Sequence, residues 1–120
     1  MPMNQIAFIF RQAPYGSDSG REGLDALLAT SAYSDQLAAF FMDDGIYQLL
    51  RFQQPESILA KDHSSMFKLC ELYDIDSLYV LKASMIERNI DPTQLLIPVE
   101  ILDSSEFYEV LAAYPIKLMF

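Results

Sequence analysis

Residues 5–10 (QIAFIF) run apolar after the first position, which predicts a strand covered on both faces. The period then changes. Leu24, Leu27, Leu28 and Ser31 fall at i, i+3, i+4 and i+7 among helix-favouring alanines, predicting an amphipathic helix. Residues 37–42 (LAAFFM) restore the continuous apolar pattern of a second buried strand, which Asp43, Asp44 and Gly45 terminate. Residues 46–50 fit a short helical turn, and Pro55 breaks the polar section RFQQPESILAKDHS.

Further along, Met66, Leu69, Cys70 and Tyr73 share one face of a second helical pattern. Leu78–Leu81 (LYVL) predicts a third strand, followed by the helix-compatible KASMIERNI. Asp91, Pro92 and Gln94 form a capping signature for another helical turn. Pro98 inside the apolar run at 95–102 points to an edge strand or a bent one. Asp103 and Glu106 frame a cap before FYEVLAAY, and the closing IKLMF predicts a last strand. Strands alternating with helices predict a small three-layer α/β fold with a mostly parallel central sheet, spanning residues 1–120 as one domain with right-handed crossovers.

Composition narrows the function. Seventeen acidic against eight basic residues give a formal charge of −9, which opposes free-standing binding to a phosphate backbone. The hydrophobic content of 52% is high for 120 residues, so part of the apolar surface is expected to lie against other chains. No apolar run reaches membrane-spanning length and no export signal heads the chain, so the expected location is cytoplasmic. The lone cysteine, Cys70, excludes an internal disulfide and a CxxC motif, and no metal or cofactor set is recognisable.

Four places carry candidate chemistry. In APYGSDSGREGLDALLAT, residues 13–30, Ser19 and Glu22 have the spacing of a capping box, while the loop from Gly16 to Glu22 is the only candidate for small-anion binding. It lacks both GxGxxG and GxxxxGK[ST]. Cys70 is the candidate thiol, although an apolar helix face favours a core cysteine. His63 follows Asp62, but adjacency in sequence does not orient an acid–base pair, and a capping or surface role before the next helix is preferred. Asp43 and Asp44 sit at the carboxyl end of a strand, where α/β sheets bind ligands, yet with Gly45 they also make an ordinary strand end.

The segments APYGS…GREGLDALLA and FFMDDGIYQLL, with FKLCELYDI and the terminal IKLMF, resemble the TusC/DsrF branch of the DsrE-like sulfur-relay family over nearly the whole chain. The resemblance implies a DsrE-like fold in a cytoplasmic heterohexamer of two heterotrimers, with TusB-like and TusD-like subunits. It implies sulfur passing as persulfide from TusA toward TusE for 2-thiolation of the tRNA wobble uridine, or, in the DsrF-type branch, intracellular sulfur oxidation. In that family the sulfur-accepting cysteine belongs to the TusD or DsrE subunit, at the end of the third strand just before a helix. The matching stretch here is YVLKASMIERN, with Leu81 at that place and no cysteine. A leucine can neither attack a persulfide nor carry one. The expectation is therefore a noncatalytic subunit, with Cys70 as an auxiliary sulfur acceptor and a small-anion-binding module as the alternatives.

Overall fold

The computed structural model describes residues 5–13, 18–34, 36–50, 70, 73, 75, 77–95 and 97–120. Five strands, β1 (Ile6–Phe10), β2 (Leu37–Phe41), β3 (Leu78–Leu81), β4 (Glu100–Leu102) and β5 (Ile116–Met119), form one sheet in the order β4-β3-β2-β1-β5. Every strand pairing in it is parallel. The helices whose bounds fall among the described residues are α1 (Ser19–Thr30), α2 (Lys82–Glu87) and α3 (Ser104–Ala112), with 3-10 turns at Asp43–Leu49 and Pro92–Gln94.

Alternation along the strands divides the core in two. Phe8, Phe10, Leu37, Ala39, Phe41, Leu78 and Val80 face one side, where Leu24 and Leu27 of α1 and Met85 of α2 cover them. Ala7, Ile9, Ala38, Phe40 and Leu81 face the other, beneath Phe107 and Leu111 of α3. This is the predicted three-layer α/β arrangement. The chain moves from β1 to β4 in one direction and returns across the sheet to β5, so crossovers of one hand must lie on opposite faces. The unbroken apolar runs of β1 and β2 follow from burial on both sides.

Aromatic contacts join the layers. Phe10 stacks on Phe41 at 5.0 Å, and Phe40 meets Phe107 edge-on at 5.4 Å. Phe8, Phe10, Phe40 and Phe41 are fully buried, each contributing about 1.5–3 kcal/mol of transfer free energy.

Several boundaries fall as the sequence predicts. Asp91 and Gln94 complete a reciprocal capping box around Pro92–Gln94, and the Asp103 carboxylate accepts from the Glu106 amide at 2.9 Å. The apolar run with Pro98 becomes a three-residue edge strand, β4. Two expectations are corrected. Helix α1 starts at Ser19, so the N-cap is Asp18, whose side chain makes no capping bond, and the Ser19 hydroxyl donates instead to Gln12 Oε1 at 3.2 Å. The buried face of Cys70 does not continue to Tyr73: the Ile75 amide donates to the Cys70 carbonyl at 2.8 Å, and this turn leaves Tyr73 exposed while Ile75 enters the core.

Candidate functional site

The carboxyl ends of β1, β2 and β5 surround a crevice of about 560 Å³ lined by Arg11, Gln12, Ser19, Glu22, Asp43, Met119 and Phe120. Its position follows from topology. Strand β1 leads through α1 toward β2, whereas β5 arrives on the other side of β1, and such reversals of strand order leave a gap at the carboxyl edge.

The polar groups here are largely matched to one another. Arg11 donates through Nε to Asp43 Oδ2 at 2.9 Å and places NH2 2.8 Å from the same oxygen. Asp44 makes the equivalent pair with Arg88, Nε to Oδ1 at 3.0 Å. Asp43 has φ 52°, and its amide donates to the Oγ of buried Ser84 at 2.9 Å. The two aspartates therefore fasten the end of β2 to its neighbours. Among the described residues Arg11 is the one basic side chain lining the crevice, and Asp43 and Glu22 oppose its charge. That balance disfavours a phosphate, which needs uncompensated donors.

Gln48 was not legible as part of this region. It is fully buried, its Nε2 donates to the Gln12 carbonyl at 2.8 Å, and its side chain fills the space where a β-carbon on Gly20 would stand. The sequence signal was the pair Gly20 and Gly23 on the inner face of α1. They are contact positions, beneath Gln48 and beneath Phe10 and Phe120 respectively.

Cys70 lies far from this chemistry in kind. It is helical and fully buried in the cluster of Phe41, Leu49 and Ile75. Burial pushes its thiol up to about 11, against a partial opposing effect of a backbone hydrogen bond, so the nucleophilic thiolate is scarce at neutral pH. Leu81 is the last residue of β3 and the N-cap position of α2, with its side chain buried against the α3 face. His63, Asp62 and Gly16 lie outside the described residues. Among the described residues no cluster of His, Cys, Asp and Glu has metal-site geometry, and no helix is long and apolar enough to cross a membrane.

Relatives place this architecture. The model of the DsrE/DsrF-like family matches residues 4–116. A Shigella flexneri protein named TusC is 48% identical over 119 residues, 98% of this chain and all of that protein. TusC of Escherichia coli O157:H7 is 47% identical over the same shares, and a TusC homolog of Vibrio vulnificus is 49% identical over 91% of this chain and 92% of its own. The crystal structure of the E. coli ychN protein superposes with a TM-score of 0.79 at 24% identity, covering 97% of this chain and 98% of the other, a likeness of fold. The chain thus belongs to the DsrE/DsrF-like family, in its TusC branch.

Proposed function

We propose that this chain is a noncatalytic subunit of a sulfur-relay complex, holding a TusD-like sulfur carrier together with a TusB-like chain in a cytoplasmic heterohexamer. The complex takes persulfide sulfur from TusA and passes it toward TusE, for 2-thiolation of the tRNA wobble uridine. The observation that carries this reading is Leu81 at the end of β3, immediately before α2, where a carrier subunit needs a thiolate. Near-full-length similarity to TusC proteins supports the choice of branch over DsrF-type sulfur oxidation.

Cys70 is a poor auxiliary acceptor. Persulfide transfer needs a thiolate within reach of the donor's outer sulfur, and this thiol is both shielded and protonated. Coexpression with TusB-like and TusD-like chains, followed by native mass spectrometry, tests the assembly. All three chains are expected in one complex, and recovery of this chain without either relative overturns it. Loading that complex with labelled persulfide is expected to mark the TusD-like chain alone. A labelled adduct on Cys70 would reverse the noncatalytic assignment.

A further inference from the structure

The two edges of the sheet are unlike. Strand β4 is short, is preceded by Pro98, begins with exposed Glu100 and half-buries Ile101 and Leu102, all features that discourage another strand from pairing there. Strand β5 also follows a proline, Pro115, and carries one charge, Lys117, but it is one residue longer and its apolar side chains are more exposed. Ile116 is 37% exposed, Leu118 40% and Met119 60%, so three of its four residues present apolar surface at an edge that no strand among the described residues covers.

The backbone directions along β5 are fixed by its pairing with β1. The Ile116 amide donates to Gln5, the Phe120 amide donates to Ile9, and the Phe120 carbonyl accepts from Arg11, so positions 116, 118 and 120 bond inward. Positions 117 and 119 therefore aim their amides and carbonyls outward. Side chains alternate independently: Ile116, Leu118 and Phe120 lie on the α1 face beside Ile6, Phe8 and Phe10, and Lys117 and Met119 on the α3 face.

We infer that β5 is a self-complementary edge that pairs antiparallel with β5 of a second copy, about a two-fold axis at Leu118. In this register Lys117 faces Met119 of the second copy and Met119 faces Lys117 of the second copy, each as a hydrogen-bonded pair exchanging two bonds. All four outward groups of each strand are then used. Leu118 meets Leu118 of the second copy, and Ile116 meets Phe120 of the second copy, so apolar side chains continue along the α1 face. A register centred on Lys117 sets like charges directly opposite and places Pro115, which has no amide hydrogen, against Met119. A one-residue slip sets outward groups against inward ones and joins opposite faces of the two sheets. The symmetric arrangement is isologous and closed, giving one continuous ten-stranded sheet. It stands independently of the sulfur-relay role.

The test uses the purified full chain. Sedimentation velocity is expected to show a concentration-dependent dimer that Lys117→Pro abolishes, because that substitution deletes two symmetric outward bonds while sparing the inward ones; far-UV circular dichroism checks that the variant remains folded. Leu118→Asp, which leaves the backbone unrestricted, is expected to give the same loss. Register is read by oxidative cross-linking. Leu118→Cys stands opposite its own counterpart at about 4.5 Å between Cα atoms, within disulfide reach, and links two chains. Ile116→Cys is separated from its own counterpart by about 13 Å and does not link to itself. Monomer at every concentration overturns the inference, including the case in which a different chain occupies β5. A dimer insensitive to both edge variants, or one in which Ile116→Cys links and Leu118→Cys does not, also overturns it.

Discussion

Gly45 lies against the carbonyl of Phe10, so close that a β-carbon at this position would overlap the carbonyl group itself. The 3-10 turn after β2 is pressed onto the end of β1, with the Gly45 amide donating to the Met42 carbonyl at 2.9 Å and the Met42 amide to the Phe10 carbonyl at 3.1 Å. Because backbone opposes the added methyl, no side chain can rotate away to admit it. Gly45→Ala is expected to destabilise the fold by roughly 3 kcal/mol, read from the midpoint of urea unfolding at constant slope. An unchanged midpoint would mean that the turn stands farther from β1 than described.

Gly20 faces a softer obstacle, the amide of Gln48. Gly20→Ala gains helix propensity of about 1 kcal/mol but must displace a buried side chain bonded to the Gln12 carbonyl, at about 1–3 kcal/mol. In a Gln48→Ala background the obstacle is gone. The cost of Gly20→Ala is therefore expected to fall by at least about 1 kcal/mol between the two backgrounds, measured as the coupling in a double-mutant cycle. Additive effects would break the assignment of Gly20 to Gln48.

The Cys70 thiol has its pKa raised from 9.0 to about 11 by burial. A raised pKa means that folding favours the protonated thiol, so this contribution to stability is complete below pH 9 and is lost as pH rises through 11. A rise of that size corresponds to a loss on the order of 3 kcal/mol. Other groups titrate in the same range, so the useful quantity is the difference from Cys70→Ala. The wild-type chain is expected to lose stability between pH 9 and 11 more steeply than the variant, and parallel curves would place the thiol in contact with water.

The parts legible in the sequence are those set by period and by backbone chemistry. Continuous apolar runs at β1 and β2, the LYVL strand, the proline before β4 and the caps at Asp91 and Asp103 each reflect a local rule that tertiary packing reinforces. Contacts between distant segments were not legible. Nothing near Gln48 in sequence announces Gly20, because a buried glutamine is identified only by the carbonyl it satisfies, and Gln12 lies 36 residues away. Ser19 and Glu22 had the spacing of a capping box, but the first helical turn began one residue earlier and drew Ser19 toward Gln12. Asp43 and Asp44 appeared as a strand end and are one; their ion pairs with Arg11 and Arg88 depend on how β1 and α2 are brought beside β2.

Leu81 gives the sharpest test of what this subunit lacks. It occupies the end of β3, but its side chain is only 5% exposed and packs in the cluster of Phe40, Phe107 and Leu111. Restoring a thiol at this position does not restore the environment of a sulfur acceptor, since apolar surroundings disfavour the thiolate as they do at Cys70. Leu81→Cys is therefore expected to remain unloaded by a persulfide donor, and its alkylation by iodoacetamide to be more than about tenfold slower in the folded chain than in urea, because burial shields the sulfur and disfavours the thiolate. Peptide mass spectrometry separates its adduct from that of Cys70. Rapid labelling with sulfur transfer to the new thiol would show that the identity of one residue alone withholds carrier activity; slow labelling without transfer places the difference in the packing of α3 over the strand end.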